Sequence, residues 1–157
     1  MSAVRTFHAR AARKPAGGAI IELPFDPADA WGKRDRYHVT GTIEGVRFRT
    51  NLLRRGSAWV IDLGPKSGSG YRLIDGQSAA VEVWPEGPQS DALAPDIAEA
   101  LAARPRAQAA FDGLATFYRK GWLRWIDATK RRPEVRAERI AEMVQLVESG
   151  YKERPSP

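Results

Sequence analysis

Tyr37 to Leu63 reads YHVTGTIEGVRFRTNLLRRGSAWVIDL, and its alternation decides the fold. Tyr37–Ile43 turns at Glu44-Gly45 into Val46–Leu52, so that Val46, Phe48 and Thr50 share one face while Arg47, Arg49 and Asn51 share the other. Successive side chains of a strand point to opposite faces, and a period of two with one apolar set is the pattern of a half-buried hairpin. The next turn, Arg54-Arg55-Gly56-Ser57, returns the chain into Ala58–Leu63, with Trp59, Ile61 and Leu63 on one face. Strands this closely spaced leave no room for crossover helices, so the pairing is antiparallel.

Upstream, Val4–Arg13 leads through Pro15-Ala16-Gly17-Gly18 into Ala19–Leu23, which predicts a first hairpin. The same stretch, with Arg5, Arg10, Arg13 and Lys14 and no acid before Glu22, loosely resembles an organelle transit peptide, but its run into a strand favours the hairpin. Asp26 is placed to cap a short helical turn over Pro27–Trp31 that plugs one end of the sheet. Downstream, Asp75-Gly76 precedes one more strand in Ala79–Trp84. Five or six short strands of this kind predict a small barrel or sandwich, because closure or packing is what removes exposed edges.

Between Pro85 and Pro95 the composition changes to PEGPQSDALAP and periodicity stops, which marks a linker. Beyond it the period is helical. Ile97 and Leu101 belong to a first helix stopped before Pro105, and Ala107–Leu114 form a second. In a third, Leu114, Tyr118, Trp122, Trp125 and Ile126 fall on one stripe, with Lys120, Arg124 and Asp127 opposite. Pro133 opens a fourth, whose apolar face carries Ala137, Ile140, Met143, Val144 and Val147, and Gly150 follows it as a C-cap. The expected class is therefore α+β, with a small antiparallel β-barrel domain over residues 1–88 and an all-helical unit over residues 89–157.

The chain of 157 residues has no cysteine, which excludes disulfides, thiolate metal ligands and a cysteine nucleophile. Its formal charge of +6 is spread evenly, so neither half is a basic nucleic-acid arm, although a pI near 10.0 favours acidic partners. No apolar run has the length of a membrane span, and the first residues lack a hydrophobic signal-peptide core, so a cytoplasmic protein is expected.

The motifs, taken in order, are specific as a set. They are Glu22–Asp26, Trp31–Arg34, Val39–Thr50 and Gly76–Val81 in the first half, then Pro95–Leu101, Phe111–Leu114, Tyr118-Arg119, Trp125-Ile126 and Lys130–Ile140. Together they resemble a bacterial family that joins a small β-barrel domain of unknown function to a helical tail named for bacteriocin protection and YdeI/OmpD association. The resemblance implies a barrel similar to the double-split barrels of antitoxin and transition-regulator DNA-binding domains, a likeness of fold that carries no function by itself. This chain departs from the family pattern at Gly76-Gln77, at Leu114–Arg119 and at Val135–Arg139, and the family supplies no catalytic residues to carry over.

The residues themselves offer little chemistry. His8 and His38 lie in predicted strands without neighbours at metal-ligand spacing, so no metal site and no cofactor is expected. Gly64-Pro65-Lys66-Ser67 superficially suggests a phosphate loop, but Pro65 removes a backbone donor where the loop needs one. There is no Gly-x-Ser-x-Gly elbow, and Asp26 and Asp29 read as a cap and a solvated helix residue. No catalytic residue is assigned.

The Trp122/Trp125 pair, with Arg119 and Arg124 beside it, has the composition of a base-stacking surface, yet its helical stripe assigns both rings to the core. Arg136 projects near the apolar face of the last helix and is read as a structural clamp with Trp122 and Trp125, by a cation–π contact among other options. Lys130, Arg131 and Arg132, in the turn before Pro133, are the candidate anion or nucleic-acid contact. The expected function is a binding or stress/bacteriocin-protection module without catalysis, with an unidentified protein or anionic partner. The alternative is a nucleic-acid-binding protein that uses this basic turn, with Arg54 and Arg55 as further contacts.

Overall fold

The structure, a computed structural model, describes residues 3–64 and 77–156. The stretch Pro65–Gly70 and the turn at Asp75-Gly76 lie outside the described residues. The chain divides into two units, Met1–Lys33 with Tyr37–Pro85, and Arg34–Arg36 with Glu86–Pro157.

The first unit is a closed antiparallel barrel of six strands: β1 (Arg5–Arg13), β2 (Ala19–Glu22), β3 (His38–Ile43), β4 (Val46–Arg55), β5 (Ala58–Leu63) and β6 (Ser78–Pro85). The order around the barrel is β1-β2-β5-β4-β3-β6. Closure depends on the two longest strands. β1 pairs with β6 over Arg5–Arg10 and with β2 over Ala11–Arg13. β4 likewise pairs with β3 over Val46–Asn51 and with β5 over Leu52–Arg55. Each thus passes from one half of the sheet to the other, and the barrel has no unpaired edge.

The inward residues form one core that includes Ala11, Ile21, Val39, Ile43, Phe48, Leu52, Ile61, Leu63, Val81 and Val83. Burying side chains of this size stabilises the fold by about 2 kcal/mol each. Gly41 is required at a close approach, since a Cβ there would stand 1.9 Å from the carbonyl oxygen of Glu82 on β6. Val46 departs from the expected inward face and is 38% exposed. It pairs with Ile43 beside the Glu44-Gly45 turn, at the end of the hairpin, where the core has already been closed by Ile43 and Phe48.

The short helix α1 (Pro27–Trp31) is capped by Asp26, whose carboxylate accepts from the Ala28 N–H at 2.9 Å. Its Trp31 joins the barrel core, packs edge-on to Phe25 at 5.4 Å and donates from Nε1 to the Ala3 carbonyl at 2.7 Å. Buried tryptophan needs such a partner for its one polar group.

The second unit comprises α2 (Pro95–Ala102), α3 (Pro105–Asp112), α4 (Thr116–Asp127) and α5 (Pro133–Glu148). Proline opens α2, α3 and α5, where its missing N–H would have had no intrahelical partner. The core is Ile97, Leu101, Ala107, Phe111, Trp122, Ile126, Ile140, Met143, Val144 and Val147. Ala137, expected on the apolar face of α5, is exposed. Leu114, expected within the third helical stripe, precedes α4 and leaves its carbonyl outside the helix ladder. α5 ends in a Schellman motif, with Gly150 at φ 97, the Gly150 N–H on the Val147 carbonyl and the Tyr151 N–H on the Leu146 carbonyl, both at 3.0 Å. That left-handed residue turns the chain back toward α4.

An aromatic cleft on the fourth helix

α4 is fixed in place by a buried charge. Arg119 is 0% exposed and its guanidinium donates to three carbonyls, Glu86 at 2.6 Å, Pro88 at 2.8 Å and Leu114 at 3.0 Å. Burial lowers its pKa from the ordinary arginine value, Asp112 acts in the opposite direction and Arg34 adds repulsion. The group remains protonated, because arginine starts far above physiological pH. The two residues Glu86 and Pro88 flank Gly87, at φ 80, whose hypothetical Cβ would stand 2.6 Å from Thr116 Oγ1. The linker backbone is thereby tied to the first turns of α4. Nearby, the Asp112 carboxylate accepts from the Ser90 N–H at 3.2 Å and the Ser90 hydroxyl at 2.8 Å, so this buried carboxylate is also hydrogen-bonded.

With α4 set in this way, Phe117, Tyr118, Gly121, Trp122 and Trp125 line an open cleft of about 280 Å³, completed by Glu153 and Arg154. Phe117 is 69% exposed, whereas Trp122 is 3% exposed. The rings meet edge to face, Phe117 with Tyr118 at 5.3 Å and Trp122 with Trp125 at 5.8 Å between centroids. Gly121 presents no side chain and leaves the floor of the cleft open. Trp122 Nε1 donates to the Lys152 carbonyl at 2.9 Å, which anchors the segment that follows α5. Two guanidinium groups approach the Trp125 ring, Arg139 at 4.8 Å and Arg154 at 4.3 Å from its centroid. Arg139 also donates to the Trp125 carbonyl at 2.6 Å, and Arg154 approaches Glu142 at 3.8 Å.

The residues singled out from sequence are dispersed over this unit. Trp122 is a core residue that also forms the wall of the cleft, and Trp125 is half-buried beside it. Arg136 faces carboxylates: its Nε and a terminal nitrogen donate to Asp96 at 2.6 and 3.0 Å, and the other to Asp127 at 3.1 Å. The fork joins α5 to α2 and α4, and raises the Arg136 pKa through those hydrogen bonds. The cation–π contacts on Trp125 come from Arg139 and Arg154. Arg119, weighed as an aid to stacking, is turned inward onto carbonyls. Lys130, Arg131 and Arg132 are all exposed, in the turn between α4 and α5, and the N-terminus of α5 has no side-chain cap.

Phe117 and the Lys152–Arg154 segment were missed as cleft residues. The signal for the second was Gly150, which predicts a reversal of the chain; Phe117 lies off the apolar stripe and carried none. His8 is exposed and His38 half-buried. Among the described residues no cluster of His, Cys, Asp or Glu has metal-site geometry, and no helix is long and apolar enough to cross a membrane.

Two family matches cover most of the chain. Residues 7–83 match the domain of unknown function DUF1905. Residues 92–150 match the family described as bacteriocin-protection, YdeI or OmpD-associated. No curated protein matches the chain. The first match spans the barrel and the second spans α2 through α5 and its glycine cap. The chain therefore belongs to the family that joins a DUF1905 domain to a bacteriocin-protection, YdeI or OmpD-associated region.

Proposed function

We propose that the protein is a non-enzymatic binding module that takes a protein partner in the aromatic cleft of α4, and that this contact underlies a protective role of the kind for which the tail family is named. One observation carries the proposal: a large aromatic side chain, Phe117, stands 69% exposed at the mouth of a cleft whose other walls are Tyr118, Trp122 and Trp125. Aromatic anchors on a rigid element are the usual centre of a protein-binding surface, and a helix held by a buried arginine supplies the rigidity.

The test is affinity purification from the native cell, after nuclease treatment, with the parent chain and Phe117→Ala side by side. A partner retained by the parent and reduced at least tenfold with Phe117→Ala is expected; equal retention by both contradicts the assignment of the cleft. A second reading, anion or nucleic-acid contact at Lys130, Arg131 and Arg132, is favoured by their exposure beside a helix N-terminus without a side-chain cap. It requires that binding to generic DNA or RNA weaken steeply with salt and fall on neutralising the three side chains.

A further inference from the structure

We propose that the cleft recognises a basic peptide segment of its partner, and that the chain's own Tyr151–Ser156 occupies the site until such a segment displaces it. This names the ligand class of the binding site above and rests on that reading.

The segment after α5 is already seated as a basic peptide would be. The Lys152 ammonium stands 5.9 Å from the Tyr118 ring centroid, and the Arg154 guanidinium 4.3 Å from that of Trp125. Aromatic faces carry the negative end of a quadrupole and attract cations, tryptophan most strongly. The backbone between these cations is held by Trp122 Nε1 on the Lys152 carbonyl, a bond that any peptide carbonyl can accept. One carboxylate that stays in place complements the incoming charge: Glu142, on α5, lies 3.8 Å from Arg154. The recognition elements are therefore two ring faces, one indole donor and one acid, and each selects for a cation or a backbone rather than for a particular sequence.

The same features make the internal segment replaceable. Tyr151 through Ser156 is exposed throughout and belongs to no helix or strand. Arg154 keeps half of its side chain in solvent. Phe117, 69% exposed, meets the Tyr118 ring edge to face and offers an apolar face for the residue beside the incoming cation. A tethered segment held by a few exposed contacts competes through its effective concentration, so weakening it in place raises the apparent affinity for a free peptide.

The experiment uses the full chain and a fluorescein-labelled Lys-Ala-Arg-Pro peptide, read by anisotropy, with Gln-Ala-Gln-Pro and Glu-Ala-Glu-Pro peptides for comparison. Three chains are titrated: the parent, Lys152→Ala with Arg154→Ala, and that pair combined with Phe117→Ala. The substituted positions are exposed, and circular dichroism verifies the fold of each. The basic peptide is expected to bind the paired variant about fivefold more tightly than the parent, because the internal cations no longer compete. Added Phe117→Ala is expected to weaken it at least threefold, and the neutral and acidic peptides to bind none of the three chains. Equal affinity for parent and paired variant, equal binding of the neutral peptide, or no binding of the basic peptide to any chain overturns the proposal. So does a concentration-dependent dimer of the parent that the paired variant loses, which would assign the cleft to the tail of a second copy. Retention of a cellular partner that depends on Phe117, with no preference for the basic peptide, would remove the ligand class and leave the binding site standing.

Discussion

The barrel and the helical unit solve the same problem in opposite ways. Every strand of the barrel is paired on both sides, its polar backbone is satisfied by the ladders, and alternate side chains fill one apolar interior. The helical unit is built from short helices with a smaller core, and arginines join what apolar packing does not. Arg119 gathers three carbonyls, Arg139 reaches the Trp125 carbonyl, Arg136 forks onto Asp96 and Asp127, and Arg104 pairs with Glu148 through two hydrogen bonds of 2.8 and 2.9 Å. A closed sheet uses its surface for itself. A bundle pinned by directional contacts can hold a helix rigid and still leave one aromatic face uncovered, and the candidate site lies on such a face.

The contrast is broken most directly at Arg119. Arg119→Ala leaves three part-buried carbonyls without their donor and opens a cavity where the buried side chain stood, and a loss of about 3–5 kcal/mol in urea unfolding is expected. A loss below 1 kcal/mol would mean that the helical unit is held by its apolar core alone. Gly41→Ala probes the barrel by overfilling, since the new methyl meets backbone at 1.9 Å; about 1–3 kcal/mol is expected, with lost protection of β3 and β6 amides in hydrogen exchange. Arg136→Ala is smaller, about 1 kcal/mol, because its carboxylate partners are nearly half exposed and water replaces part of the interaction.

The smallest effect is an acid one. The Arg136 hydrogen bonds, with some opposition from partial burial, hold the Asp96 carboxyl below its ordinary value of 3.8. A carboxyl whose folded pKa is depressed contributes stability above its unfolded pKa and loses it as pH falls through the folded value. Stability should therefore decline below about pH 4, by less than about 1 kcal/mol for this half-exposed group, and Asp96→Asn should flatten that limb. An unchanged acid limb in Asp96→Asn would show that the pair contributes nothing measurable.

The barrel was legible because its pattern is local. Strand alternation at Val39–Leu63, turn residues and the Asp26 cap each identify an element without knowledge of the rest. The helices were legible from Pro133, Gly150 and the Trp122–Ile126 stripe for the same reason. The site was less so, because its geometry depends on contacts distant in sequence. Nothing adjacent to Arg119 says that it turns inward to Glu86 and Pro88, and its basic neighbours suggest a solvated rim. Arg136 was singled out for its place beside an apolar face, but its partner Asp96 lies on another helix. Helical periodicity assigns Trp122 to a core, and it cannot show that the opposite edge of the same ring borders a cleft.

The decisive measurement is in-cell photo-crosslinking from two exposed positions, with benzoylphenylalanine placed at position 117 on α4 or at position 53 on the barrel, where Leu53 is 49% exposed. A discrete protein adduct from position 117 and none from position 53 is expected if the open face of the helical unit is the binding surface. An adduct from position 53 with none from position 117 would contradict it and move the function to the barrel.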